Sequence, residues 1–66
     1  MTILVNGEPH ELGQGSTVAD VVTLLGRAPK GLAIAVNEEV VPRACWPATT
    51  LHEHDRVEVL AAAAGG

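Results

Sequence analysis

The stretch Thr17-Val-Ala-Asp-Val-Val-Thr-Leu-Leu-Gly26 decides the fold, because it carries the clearest helical pattern in the chain. Thr17 and Asp20 have the spacing of a capping box, in which a hydroxyl and a carboxylate bind free N–H groups of a first helical turn. Gly26 supplies the left-handed residue at which many helices end. A helix of about two turns is marginal alone, so its apolar stripe is expected to pack against a sheet. The stripe consists of Val18, Val21, Val22 and Leu25.

The residues before this helix predict a β-hairpin over residues 2–13. Ile3 and Val5 lie on one face of a first strand, and Asn6-Gly7 is a typical two-residue hairpin turn. Pro9 lacks a backbone N–H, so the second strand is expected at an edge of the sheet or to begin near this residue.

The residues after the helix predict the rest of a sheet. Leu32–Val36 is a nearly continuous apolar run, typical of a central strand buried on both faces. Asn37-Glu38-Glu39 is expected to turn the chain, and Val40-Val41 to pair briefly. Pro47–Thr50 favours a turn or a short helical piece. Arg56–Leu60 alternates charged and apolar residues, as a strand with one face in water does.

This order of elements predicts an α+β fold with two layers, in which one main helix packs on one face of a mixed β-sheet. The β-grasp, or ubiquitin-like, fold has this arrangement. We therefore expect a β-grasp domain over residues 1–60 and a flexible C-terminal tail over residues 61–66, where no side chain is larger than methyl.

The composition limits the function. The 66 residues carry a formal charge of −4, which disfavours nucleic acid as a partner. Cys45 is the only cysteine, so no intramolecular disulfide can form, and a reducing cytoplasm is expected. No apolar run approaches the roughly 20 residues of a membrane span. Trp46 is the only aromatic residue and is expected in the core.

The tail suggests a chemical role for the last residue. Six extended residues can carry the terminal carboxylate roughly 20 Å from the sheet, which is enough to reach another protein's active site. Gly65 and Gly66 lack Cβ atoms, so the backbone there can pass a narrow channel. A carboxylate resists nucleophilic attack, but reaction with ATP would give an acyl-adenylate that a sulfur donor can convert to a thiocarboxylate.

Six pieces of the sequence match the pattern of one known family. They are Val5-Asn-Gly7, Thr17-Val-Ala-Asp20, Ala35-Val-Asn37, Val41-Pro-Arg43 with Trp46, Arg56-Val-Glu-Val59 and Gly65-Gly66. Through these pieces the whole chain resembles the sulfur carrier protein of thiamine biosynthesis, the ThiS family. One position departs from that family, since His54-Asp55 stands where its members usually have Gly-Asp, and a histidine takes a left-handed conformation less readily than glycine.

The resemblance implies a carrier that is not itself an enzyme and binds no cofactor or metal. An adenylating partner enzyme would use ATP to activate the carboxylate of Gly66, a sulfur donor system would convert it to a thiocarboxylate, and thiazole synthase would accept the sulfur. The residues expected to contact partners are Ala63, Ala64, Gly65, Gly66 and Arg43. For Arg43 a local role in a turn is an equal alternative.

Other functions remain open from the residues. The small subunit of molybdopterin synthase shares the fold and the Gly-Gly end, and a β-grasp interaction module would bind through its sheet face. His52 and His54, with His10 or Cys45, could imitate part of a zinc site, although a second cysteine and a closing ligand pair are missing from the sequence. Exposed turn histidines are the plainer interpretation, and Cys45 has no base beside it in sequence to make it a nucleophile.

Overall fold

The computed structural model of the protein describes residues 1–26 and 30–61. The regular elements follow the predicted order of two strands, a helix, two strands, a short helical piece and a last strand. They are β1 (Thr2–Val5), β2 (Glu8–Glu11), α1 (Val18–Leu25), β3 (Leu32–Val36), β4 (Glu39–Val41), a 3₁₀ helix (Arg43–Ala48) and β5 (Arg56–Ala61).

The five strands form one mixed sheet in the order β2-β1-β5-β3-β4. Neighbours are antiparallel except for β1 and β5, which run parallel. The helix α1 and the 3₁₀ helix lie on one face of this sheet and bury the core, so the predicted α+β β-grasp fold is confirmed. Pro9 lies in β2 at the edge of the sheet, where its missing N–H costs no ladder bond.

The prediction for β3 is wrong in two respects. The central strand is β5, not β3, and β3 is not buried on both faces. Ile34 is 1% exposed, whereas Ala33 on the opposite face is exposed. The helices cover only one face of the sheet. An apolar run in the sequence does not distinguish a strand that is buried on both faces from a strand whose alanines face solvent on one side.

Both hairpins turn on an asparagine in a left-handed conformation. Asn6 and Gly7 have φ of 50° and 84°, and Asn37 and Glu38 have φ of 50° and 72°. Positive φ at both central residues matches the twist of antiparallel strands, as in type I′ turns. The second turn is one residue shorter than predicted, because Glu39 already pairs with Val36 in β4.

The helix begins as predicted. The Thr17 N–H donates to the Asp20 carboxylate at 2.8 Å, and the Asp20 N–H donates to the Thr17 hydroxyl at 3.3 Å, which completes the capping box. Gly26 ends the helix with φ of 68°. Its N–H donates to the carbonyl oxygen of Thr23. Within the described residues, α1 and the 3₁₀ helix are both too short to cross a membrane.

Trp46 lies in the core, as predicted, and is 4% exposed. It places the 3₁₀ helix over Arg43–Ala48, four residues before the predicted start at Pro47. The local sequence pattern there is weak, and burial of the indole ring decides the position. The buried residues are Ile3, Val5, Val18, Val21, Val22, Ile34, Trp46, Leu51, Val57 and Val59.

Candidate functional site

Strand β5 leads to the C-terminal segment and lies between two partners. It pairs in parallel with β1 through Val5 and Val57, and in antiparallel with β3 from Val36 to Leu32. The strand extends through Ala61, one residue beyond the predicted end at Leu60. The chain therefore approaches its C-terminus along a strand that is paired on both of its edges.

The start of β5 is fixed by Asn37 and Asp55. The Asn37 side chain accepts a 2.9 Å hydrogen bond from the Arg56 N–H and donates one of 3.0 Å to the Asp55 carboxylate. Asp55 also accepts a 2.8 Å bond from the His52 N–H. These contacts close the turn over residues 52–55 and define where β5 begins.

His54 occupies a left-handed position in this turn, with φ of 69°. Its N–H donates a 2.7 Å hydrogen bond to the carbonyl oxygen of Thr2, which joins the turn to β1. The histidine therefore takes the left-handed conformation for which glycine is the ordinary residue.

The later part of β5 is held by Asn6. Its side-chain oxygen accepts a 2.8 Å hydrogen bond from the Val59 N–H, and its side-chain nitrogen donates one of 3.1 Å to the Val59 carbonyl oxygen. The Asn6-Gly7 pattern predicts a turn and does not indicate this second role. No local pattern does, because Asn6 and Val59 lie 53 residues apart along the chain.

The predicted carrier residue lies outside the described residues. So do four of the five predicted partner contacts, since Gly66 is also one of them, and the last described residue is Ala61, which pairs with Leu32 at the end of β5. The residues concerned are Ala63, Ala64, Gly65 and Gly66. The flexible tail and its carboxylate chemistry stay predictions.

Arg43 is exposed at the first position of the 3₁₀ helix. It follows β4, whose last residue Val41 pairs with Ile34 in β3. Two residues before Ile34 in β3, Leu32 pairs with Ala61, the last residue of β5. The chain thus leaves β4 at the end of the sheet from which β5 also leaves. This register is compatible with the predicted role of Arg43 in contacting a partner.

The face of the sheet opposite the helices carries an apolar patch beside the end of β5. Ala33 pairs with Leu60, and Ala35 pairs with Val40 and, on its other side, with the exposed Glu58, so these side chains lie on one face of the sheet. Leu60 is 64% exposed and Val40 is 73% exposed. We call Ala33, Ala35, Val40 and Leu60 the open-face patch.

The histidines and the cysteine do not form a metal site in the described part of the chain, where no group of three or more His, Cys, Asp or Glu side chains converges. The side chains of His52 and His54 are 80% and 82% exposed in their turn. Each faces one carboxylate, at 3.8 Å from Asp55 and 3.6 Å from Glu53 respectively. Cys45 is exposed.

The chain is similar to known proteins over its whole length. The model of the ThiS family matches residues 3–66. The chain is 30% identical to the sulfur carrier protein ThiS of Escherichia coli (strain K12), with all of both chains covered. It also superposes on the crystal structure of the thiamine biosynthesis protein ThiS from Geobacter metallireducens with a TM-score of 0.84, at 30% identity over all of both chains.

A longer relative contains a similar segment. The chain is 39% identical over its full length to a thiazole synthase of Magnetococcus marinus, and it spans 20% of the length of that protein. The family match runs from Ile3 in the first strand to the final Gly66. The chain therefore belongs to the ThiS family of sulfur carrier proteins.

Proposed function

We propose that Gly66 of this sulfur carrier of thiamine biosynthesis is the residue that carries the sulfur, as a C-terminal thiocarboxylate. The observation that supports this most is the family match, which includes the terminal Gly65-Gly66 and does not stop at the folded domain. The same match favours thiamine biosynthesis over the alternative of molybdopterin synthesis.

The chemistry requires two substitutions. A carboxylate oxygen of Gly66 attacks the α-phosphorus of ATP and releases pyrophosphate, which gives the acyl-adenylate. A donor at the oxidation level of sulfide, written here as hydrosulfide, then attacks the carbonyl carbon and forms the C–S bond. The C–O bond to AMP breaks, AMP leaves with the bonding electron pair, and the proton of hydrosulfide passes to water, which leaves the thiocarboxylate. The carrier contributes the reacting carboxylate, while the nucleotide site belongs to an adenylating partner enzyme. The carrier itself binds no cofactor and catalyses no step in this scheme.

The domain supplies a rigid base for this delivery. Because β5 is hydrogen-bonded on both sides up to Val59, its last described residue, Ala61, is held at a defined place beside Leu32. Five residues follow Ala61, and their contour length is about 17 Å at roughly 3.3 Å per residue. This length allows Gly66 to enter an active site while the domain stays outside it.

Three partners follow from the scheme: an adenylating enzyme, a sulfur donor system and thiazole synthase. The thiazole synthase is supported by the Magnetococcus marinus protein of that name, which joins a segment similar to this chain to a longer polypeptide. Fusion keeps a donor and its acceptor at a high effective concentration. We place the carrier in the cytoplasm, where an exposed Cys45 stays reduced.

The test is the intact mass of the protein after incubation with a candidate adenylating enzyme, ATP and a sulfur donor. The expected product is heavier by the difference between one sulfur and one oxygen atom, and fragmentation places this change on Gly66. A chain that ends at Gly65 serves as the matched control and is expected to remain unmodified. An unchanged mass with an enzyme that activates another carrier would contradict the proposal.

One observation favours a second function, that of an interaction module that acts through its sheet face. The open-face patch exposes Val40 and Leu60, and such side chains are common in protein interfaces. The two functions respond differently to loss of Gly66. Binding by an interaction module survives the deletion, whereas support of thiamine synthesis by a carrier is abolished.

A further inference from the structure

Strand β5 continues past the end of its parallel partner. β1 ends at Val5, which pairs with Val57, whereas β5 extends to Ala61. The Val57 carbonyl oxygen accepts a 2.9 Å bond from the Asn6 N–H at this edge. Alternate residues of a strand direct their backbone groups to the same edge, so Val59 faces the space beyond β1.

The side chain of Asn6 fills this space. It makes one donor and one acceptor bond with the backbone of Val59, as a further residue of a neighbouring strand would. Val59 is 8% exposed. If the Asn6 side chain were absent, the N–H and C=O groups of Val59 would have little access to water and would lose their hydrogen-bond partner at this edge. Asn6 therefore extends the hydrogen-bond ladder by one step beyond the last backbone pair with β1.

We infer that Asn6 is a positioning residue for sulfur carriage: its side-chain amide holds the end of β5 and so sets the direction in which the chain leaves the sheet toward Gly66. The inference rests on the proposed function, because it assigns Asn6 a role in presenting the carrier residue. Asn6 touches no reacting atom in this role and is not a catalytic residue.

The physical consequence concerns the last three residues of β5. Leu60 and Ala61 pair with β3 only, and without the Asn6 amide Val59 would also be held by β3 on one edge only. Strand ends with one partner open locally at low free-energy cost. The chain then leaves the sheet in a wider range of directions, and the fraction of molecules ready to enter an active site falls, which raises the apparent dissociation constant by the same factor.

Asn37 provides a matched comparison within the same chain. It has the same φ of 50°, it also occupies the first position of a two-residue turn, and its amide also makes two hydrogen bonds. Its bonds reach Arg56 and Asp55 at the start of β5, far along the strand from Ala61. Loss of this amide lowers stability but leaves the end of β5 held.

The experiment compares Asn6→Gly with Asn37→Gly in the full chain. Glycine keeps the left-handed conformation that both positions require, so each variant removes an amide and leaves its turn intact. We expect Asn6→Gly to raise the KM for the carrier in adenylation by about five-fold, with kcat nearly unchanged, while Asn37→Gly leaves KM near the wild-type value. Equal KM values for the two variants would overturn the inference.

A second measurement needs no enzyme. Amide hydrogen exchange followed by NMR is expected to show lost protection at Val59 in Asn6→Gly and unchanged protection there in Asn37→Gly. Asn6→Asp keeps the acceptor for the Val59 N–H and loses the donor, so an intermediate KM is expected, and this variant decides the question if Asn6→Gly does not fold. Retained protection at Val59 in Asn6→Gly would contradict the inference.

The two failures are distinguishable. If the wild-type protein is activated at Gly66 but Asn6→Gly has the wild-type KM, only the role of Asn6 is wrong. If the wild-type protein is not activated by a competent enzyme, the proposed function fails and the positioning role fails with it, whatever the exchange at Val59 shows.

Discussion

The indole Nε1 of Trp46 donates a 2.9 Å hydrogen bond to the carbonyl oxygen of Val41. The ring thereby joins the 3₁₀ helix to the end of the edge strand β4 while it fills the core. Substitution can separate the contribution of ring burial to stability from that of the hydrogen bond, because phenylalanine retains most of the apolar area of tryptophan and has no N–H donor.

We predict that Trp46→Phe lowers the free energy of unfolding by about 1–2 kcal/mol, and that Trp46→Ala lowers it by about 3–5 kcal/mol. The measurement is urea denaturation followed by circular dichroism, since both variants lack the only tryptophan. A Phe variant as unstable as the Ala variant would show that the hydrogen bond, rather than packing, dominates.

Asp55 is predicted to stabilise the turn before β5. Its carboxylate accepts from the Asn37 side chain and the His52 N–H, and its side chain is 16% exposed. Asp55→Ala leaves both donors without this acceptor, so we expect a loss of about 2–3 kcal/mol in the free energy of unfolding. Glu8→Ala, an exposed change in the edge strand β2, is the control and is expected to change stability by less than about 0.5 kcal/mol.

His54→Gly is predicted to stabilise the protein by up to about 1 kcal/mol, because the left-handed backbone at this position costs a side-chain-bearing residue more than glycine. The hydrogen bond from the backbone N–H of residue 54 to Thr2 is retained. The measurement is the thermal midpoint of unfolding. A lower midpoint for His54→Gly would mean that the entropy of glycine in the unfolded chain outweighs the relief of strain.

The negative charge of the carrier is predicted to speed its encounter with a partner. The formal charge is −4, and Glu38 and Glu39 are exposed at the tip of the second hairpin. We expect kcat/KM for adenylation to fall several-fold as salt rises, since screening weakens electrostatic steering toward a basic surface. Glu38→Gln with Glu39→Gln should flatten this dependence, and an identical salt dependence would exclude these two residues from the steering.

Local patterns predicted the parts of the fold that local interactions specify. The capping box of Thr17 and Asp20 makes its bonds within one helical turn, and the turn of Asn6-Gly7 needs only two residues in left-handed conformations. The burial of Trp46 followed from its being the only aromatic side chain.

The errors lie where distant residues decide the structure. The apolar run of β3 did not reveal that only one face is covered, because Ala33 fits either a core or a solvent face. The position of the 3₁₀ helix depends on burial of Trp46 in a core to which β1, α1, β3 and β5 all contribute. The role of Asn6 depends on Val59, which lies 53 residues away along the chain, so no local window contains both partners of that contact.

The central place of β5 has a consequence for how the protein is made. The β1–β2 hairpin and the β3–β4 hairpin are joined in the sheet only through Arg56–Ala61, so they remain two separate ribbons until the ribosome has released this strand. Isolated hairpins are marginally stable at best in water. A nascent chain that stops before Arg56 therefore stays open to proteolysis, and the fold closes only around the last strand in the sequence.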